Sequence, residues 1–600
     1  MYLKVSLIME QIANIFDYIT TEEASMDMPV HPIDGMDFNF HEHVRTTVLY
    51  KNSVYTEESS EDRPFKNITR PMLNLQYRAE GFDVKDIDIY VDNKDKYFMS
   101  FLIRKFHETW ALENKMDTFI DNLVESYVDF GGALISNINE NLRVRKLQSI
   151  AFCDQTNLLG GPIGFKDYYS PLDIKDMEKF GWGNPSNGAT ATIDEVIGLA
   201  DTYKQQDDDM AQSETSGKNI EIYEVHGQFP DYFLGGDSED YTQQMHIITL
   251  YTDPNGKRQG ITLYAGREKE GLFKVILRDE IFGRALGLGG GEELVQSQVW
   301  TNYDIIRINQ MLDGAAKVIY KTTDDAFANR NKIKDMKNEE VVTLAENTDI
   351  GQMDTTPRNI TLFENSIRQW EDHARLMASA NESILGEQPK SGTPFALQEL
   401  VTAESHSLHD YRKGKISTFL EEIYRDWVIP KMAKEVVKGK EFMADLSLDE
   451  LQKVAEEVTN YYTNKFVINE ILDGRIPEGV EQFREKFKAD FSKDSKKFLK
   501  ILKDEFNKSP FGVKINIVGK QKYLAGMAYK LSNVFRTVVG NPQVLQDNNM
   551  AKLFNEILES SGLSPINFTV NPVQQLQQPQ QPQRVEENLV QNPKLVPQTV

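Results

Sequence analysis

From residue 286 to 437 the chain alternates helical periodicity with two short interruptions, and this succession limits the possible folds more than any other feature. Helical spacing begins at Glu292 and runs through Leu294, Val295, Gln298, Val299, Asn302, Ile305 and Ile306 to about Thr322, which predicts roughly 45 Å of rod. A polar, mixed insert follows at 323–361. Phe363, Ile367, Trp370, Ala374 and Met377 then repeat at helical spacing, predicting a second helix over 362–385. Gly386-Glu-Gln-Pro-Lys-Ser-Gly-Thr-Pro394 interrupts it with two glycines and two prolines, an exposed loop between helices. A third helix spans 395–437, with Ile416, Leu420, Ile423 and Trp427 on one face.

Upstream, residues 35–95 mix short apolar runs with turn-forming residues, whereas Lys96 to Ser126 carries helical spacing at Phe101, Leu102, Trp110, Phe119, Ile120 and Leu123. Gly131-Gly132 ends that block, and Ala133 to Arg145 reads as a hairpin. Ile220 to Phe229, Met245 to Tyr251 and Gly260 to Tyr264 read as strands, with Asp253-Pro-Asn-Gly256 as a turn and 204–219 as a polar surface loop. Downstream, 438–569 is charged and largely helical apart from a strand at Val513 to Val518. The Gln/Pro-rich 570–600 lacks the apolar groups to offset its ordering entropy and is expected to be disordered. The expected fold class is α+β, mostly helical.

Composition narrows function. At 600 residues and 40% apolar content the chain can bury a sizeable core. Its single cysteine, Cys153, excludes an intrachain disulfide or a CxxC motif and reads as buried filler rather than as a nucleophile. With 67 basic against 92 acidic residues, net charge −25, and no long basic block, the chain is a poor candidate for tight sequence-specific DNA binding or an anionic membrane surface. The opening Met1 to Met9 matches neither a signal peptide nor a membrane span.

The usual chemical motifs are incomplete. His41/His43 and His406/His409 lack HExxH spacing. Lys390-Ser391 sits near Gly386 and Gly392, but a proline stands where a P-loop needs glycine. Gly287-Leu-Gly-Gly-Gly291 has the look of an anion cradle before a helix but lacks G-x-G-x-x-G spacing, and reads better as a flexible hinge or tight turn. Asp86, Asp88, Asp92 and Asp95 form a carboxylate cluster without EF-hand register. No catalytic residue, metal ligand or cofactor is assigned from the sequence.

Several stretches carry a family resemblance: Gln298-Val-Trp-Thr-Asn302 on the first long helix, Leu385-Gly386 after the second, and Ser391-Gly-Thr-Pro-Phe-Ala-Leu-Gln398 opening the third. Arg412-Lys413, Phe419 and Asp426-Trp-Val-Ile-Pro430 extend it, with Tyr127 to Ile135 upstream and Gly512 to Gly519 downstream. In order and spacing the chain resembles the portal proteins of tailed bacteriophages over roughly 95–580, the large crAss-like type included.

That resemblance implies a portal-type fold: an N-terminal region and wing at 1–285, stem helices at 286–322 and 362–385, a clip at 323–361 and a tunnel loop at 386–394. A long wing helix at 395–437 and a helical crown at 438–569 would follow. It implies a ring of twelve whose heterologous interface closes on itself, set at one capsid vertex in the virion and assembled in the host cytoplasm. Implied partners are the major capsid protein, the large terminase and the head-to-tail connector proteins. Double-stranded DNA would pass through non-specifically, touching tunnel-loop residues Gln388, Pro389, Lys390, Ser391, Gly392 and Thr393, and acidic walls suit a polyanion that must slide. No membrane and no chemistry of its own are implied. Two rival readings remain: another virion component (scaffold, tail or ejected protein), and a metal-dependent phosphate or nucleic-acid enzyme built on Asp86, Asp88 and Asp92.

Overall fold

A computed structural model describes residues 14–56, 63–91, 97–204, 219–236, 240–252, 258–316, 319–323, 325, 344–353, 359–380, 407–438, 448–476, 478–493 and 511–515. Two units divide the chain, Met1–Leu448 with Glu457–Ile517, and Asp449–Glu456 with Val518–Val600. Nearly all described residues belong to the first.

Elements run in the order α1 (Ile15–Ser25), β1 (Val30–Ile33), β2 (Met36–Phe38), α2 (Phe40–Lys51), α3 (Thr69–Glu80), β3 (Ile87–Val91), α4 (Tyr97–Glu113) and α5 (Met116–Phe130). They continue with β4 (Gly132–Ile138), β5 (Asn141–Arg145), β6 (Ile150–Phe152), β7 (Ile163–Tyr169), α6 (Pro171–Asp176), α7 (Ile193–Lys204), β8 (Ile220–Pro230), β9 (Tyr241–Thr252), β10 (Arg258–Arg267) and β11 (Phe273–Leu277). Then come α8 (Gly290–Ala316), β12 (Tyr320–Thr322), β13 (Ile350–Gln352), α9 (Ile360–Met377) and α10 (Ser407–Ile423), followed by a π-helical turn (Tyr424–Val428). The last are α11 (Ile429–Lys438), α12 (Leu448–Leu472), α13 (Val480–Lys493) and β14 (Phe511–Ile515). The class is α+β, with 55% of the described residues helical.

Among the described residues the largest sheet is antiparallel, in the order β10-β9-β8-β7-β6. Successive side chains of a strand face opposite ways, and here both faces are buried. Tyr223, Val225 and Ile248 join a core with Tyr18 and Ile19 of α1, Phe40 of α2 and Leu134 of β4. Ile220, Ile222 and Ile247 pack the other way, beneath Ile174, Trp182, Ile193 and Val196. Cys153 lies inside the first core, where burial pushes its thiol far up, so it is an apolar filler and not a thiolate.

The expected hairpin is β4–β5, and β11 adds to its other side. Residues 35–95, read as short apolar runs among turn-forming residues, contain α2 and α3. Their spacing is masked because both are short and polar outside. Asn39 caps α2 by accepting from the Glu42 amide at 2.9 Å while donating to Met26 O at 2.8 Å. Asn39→Ala is expected to lower stability by about 1 kcal/mol in chemical denaturation. The predicted turn at 253–256 and the Gln/Pro-rich 570–600 lie outside the described residues, as does nearly all of the loop at 204–219.

The helices after 286 depart from expectation at their ends. The first stops at Ala316 rather than Thr322, because residues 320–322 pair instead with 350–352. The second runs Ile360–Met377 and does not reach 385: Ala378 and a left-handed Ser379 close it. In the third, Pro430 removes the amide that would bond the Asp426 carbonyl, and the helix answers with the π turn at Tyr424–Val428. The strand expected near 513 is present as β14. It pairs antiparallel with β3, which ties this segment by hydrogen bonding to the N-terminal region.

Candidate functional site: the helical rod and the charge cluster at its base

α8 and α9 form an antiparallel pair, with partner numbers on α9 falling as those on α8 rise. Ser297 Oγ meets His373 Nδ1 at 2.9 Å, Trp300 stacks on Trp370 with centroids 6.2 Å apart, the Ser366 hydroxyl donates to Asp304 at 2.6 Å, and Arg307 lies over the Phe363 ring. The 27-residue α8 is about 40 Å long. At one end the β12–β13 ribbon joins the two helices. Of the stripe read on α9, Ile367 and Ala374 are buried against α8, Phe363 and Trp370 are half-buried, and Met377 is 38% exposed. Trp300, Tyr303, Leu312, Leu362 and Leu376 also stay exposed along the rod, at 41–73%.

The rod is anchored through the Gln298–Asn302 stretch. α3 begins at Ile68-Thr69, where the N-cap Ile68 has no polar side chain and Asn67 Oδ1 accepts only from the Arg70 amide at 2.9 Å. Gln298 Oε1 accepts from the Ile68 and Thr69 amides at 2.9 and 3.2 Å, and its Nε2 donates to Lys66 O at 2.7 Å. Asn302 Oδ1 accepts from the Lys66 amide at 3.2 Å. A helix distant in sequence therefore supplies the acceptors that α3 lacks.

At the rod's base the glycine run is no hinge. A methyl group on Gly289 would stand 2.5 Å from Asp129 O and 2.6 Å from the Gly131 amide, and one on Gly131, at φ +75°, would overlap Gly287 O. Gly131 O in turn accepts from the Arg278 and Gly287 amides at 2.9 and 3.2 Å. Two backbone segments touch here with no side chain between them. Nor does the helix start offer an anion site, since Glu292 and Glu293 occupy its first turn.

Beside this junction lies a buried ion cluster. Arg278, fully buried, donates to Glu80 at 3.2 Å and to Glu293 at 3.3 Å. Arg412, 4% exposed in its side chain, donates to Asp279 at 2.6 Å and Glu293 at 3.3 Å, and His409 Nδ1 is 3.1 Å from Glu80 Oε1. Burial opposes the charge on Arg412, but Glu293, Glu80 and Asp279 outweigh it and hold the guanidinium above its ordinary value. Burial likewise lifts Glu293 above the usual carboxylate range. Glu80 Oε2, Arg278 Nε, His409 Nε2 and Arg412 Nη1 are buried without a hydrogen-bond partner, so the network is tightly paired but not saturated. It joins α3, the β11–α8 connection, the first turn of α8, and α10.

The tunnel-loop residues Gln388, Pro389, Lys390, Ser391, Gly392 and Thr393 lie outside the described residues, as do Asp92, Asp95 and His406. The structure separates the other candidate ligands. Asp86 caps its own short helix with Asp83, Asp88 pairs with Arg104 at 2.5 Å, His41 binds Ile150 O, and His43 lies 3.6 Å from Glu292. Among the described residues no group of three or more His, Cys, Asp or Glu side chains is placed to hold a metal ion, and no helix is long and apolar enough to cross a membrane. Sequence reasoning missed Glu80, Arg278 and Glu293. Arg412 had stood out in the family resemblance and His409 in a histidine pair without metal-site spacing.

No protein-family model matches the sequence, and no curated protein matches it significantly.

Proposed function

We propose that the chain is the portal subunit of a tailed bacteriophage, a conduit and docking platform without catalytic activity. The observation that carries this reading is the antiparallel α8–α9 rod, joined through a β ribbon at one end and rooted in a buried ion cluster at the other. In this reading the rod is the stem, the ribbon is the base of the clip facing terminase and later the connector proteins, and the sheet region is the wing facing capsid. The tunnel loop at 386–394 contacts passing DNA, and α10 with α11 is the long wing helix.

The exposed apolar residues of the rod support assembly, because a rigid helix pair that leaves Leu362 and Leu376 uncovered gains by burying them against another subunit. Class-averaged electron micrographs of the purified protein are expected to show closed rings of about twelve subunits with a central hole. Monomers, dimers or open filaments across a range of salt would overturn the proposal. Leu362 and Leu376 lie fourteen positions apart, about four turns, and so share a face. The variant carrying both Leu362→Glu and Leu376→Glu is expected to keep its circular dichroism spectrum and lose the rings.

A further inference from the structure

A second buried charge cluster lies away from the rod, between the five-stranded sheet and the β11-β4-β5 sheet. His226 of β8 is 1% exposed, and both of its ring nitrogens face carboxylates: Nε2 is 3.1 Å from Glu224 Oε1, and Nδ1 is 2.9 and 3.0 Å from the two oxygens of Glu268. A neutral imidazole has one N–H and would turn a lone pair toward one of these anions, so the geometry calls for the imidazolium. Arg145 of β5 completes the group, holding Glu224 with two hydrogen bonds of 2.7 and 2.8 Å and donating to Ser136 of β4 at 2.9 Å. Two cations then balance two carboxylates in a space walled by Phe165 of β7 and Phe273 of β11, whose rings lie 6.2 and 5.0 Å from His226.

The remaining titratable neighbours do not substitute for that proton. His246 of β9 is pushed down to about 4 by burial and hydrogen-bonds Gln244, and Asp167 of β7 adds further negative charge beside Glu224. Lys274 of β11 is engaged by Glu422 and Asp426. Burial opposes the charge on His226, but Glu224 and Glu268 outweigh it and raise its pKa above the ordinary value.

Glu268 opens the connection from β10 to β11. That loop forms one wall of a groove of about 480 Å³, whose other walls are the Asn137–Glu140 turn and the helix face bearing Trp427 and Lys431. Within the loop, Lys269, Glu270 and Gly271 are exposed, and backbone hydrogen bonds hold its two ends, Glu268 to Gln243 at 2.9 Å and Leu272 to Asn137 at 2.9 Å.

We propose that the β10–β11 loop is a proton-held latch: protonated His226, gripping Glu268, keeps the loop closed on the sheet, and loss of that proton releases the loop and widens the groove. The sign follows from linkage. A histidine whose pKa is higher folded than unfolded contributes stability that is fully present below about 6.5 and lost as pH rises through its folded value. The latch is therefore shut in mild acid and released in alkali.

Hydrogen exchange of the full chain, read by mass spectrometry on peptides covering 266–273 and normalised for the intrinsic rate at each pH, tests this. Protection is expected to fall at least tenfold between pH 6 and pH 9, while α5 peptides stay unchanged. Glu268→Gln removes one of the two anions and is expected to move the release downward by about one pH unit or more. His226→Gln is expected to expose the loop at every pH with α5 still protected. Trypsin cleavage after Lys269, calibrated against a control peptide at each pH, is expected to rise over the same interval. Loop protection constant from pH 6 to 9, or a Glu268→Gln profile superimposable on the parent, overturns the latch. Those two readings decide it even if His226→Gln fails to fold.

Discussion

Arg278→Ala is expected to destabilise the protein by about 3–5 kcal/mol, because it strips the shared guanidinium from two buried carboxylates and leaves Glu80 with His409 at 3.1 Å and Glu293 with Arg412 at 3.3 Å, one cation fewer than the cluster holds. Arg278 is 0% exposed and bridges Glu80, also 0% exposed, to Glu293. Arg412 also reaches Glu293 at 3.3 Å but stands 3.9 Å from Glu80, too long for a hydrogen bond, so it does not replace the lost donor. Chemical denaturation measures the loss. Arg278→Met combined with Glu80→Gln is expected to recover a large part of it, since removing both charges removes the desolvation penalty along with the attraction. If Arg278→Ala unfolds at the parent's denaturant midpoint, the cluster contributes nothing net and does not root the rod.

Gly131→Ala is expected to be about as damaging, and for a different reason. The residue sits at φ +75°, where any side chain costs roughly 1–2 kcal/mol, and its added methyl would overlap the Gly287 carbonyl. Backbone faces backbone, so no side chain can swing aside, and α5 and the start of α8 must separate. The hydrogen bonds that Gly131 O accepts from Arg278 and Gly287 are strained together with the contact. The expected readout is loss of soluble protein, or a fall in stability of at least about 3 kcal/mol by analogy with core overpacking added to the conformational cost. Gly198→Ala is the control: it lies within a helix with nothing within 4 Å of the added atom and is expected to be neutral or slightly stabilising. Equal losses from both variants would mean that the close approach at Gly131 carries no special weight.

The residues that drew attention as a family resemblance have identifiable physical work. Gln298 caps α3, Asn302 holds the Lys66 amide just before it, Gly131 makes a backbone junction, Arg412 joins the ion cluster, and Pro430 sets the π turn. None of these roles was visible along the chain. A glutamine on a helix face looks the same whether it caps a neighbouring helix or faces water, and a triplet of glycines reads as freedom until the opposing backbone is known to fill the space.

What the sequence by itself determined is local. Helical spacing placed α4, α5, α8, α9 and α10, and β-branched runs bounded by turns placed β4, β5, β8, β9, β10 and β14, because periodicity records which side of an element is buried. Helix ends were less legible, since the strand pairing of 320–322 with 350–352 and the left-handed Ser379 compete with a pattern that would otherwise continue. Only the tertiary structure decided the rest: β14 pairing with β3 across more than four hundred residues, Glu80 meeting His409, and His226 meeting Glu268. A buried charge is tolerable only beside its counter-charge. That counter-charge can sit anywhere in the chain that the fold brings within about 3 Å, so nothing in the neighbouring sequence announces it.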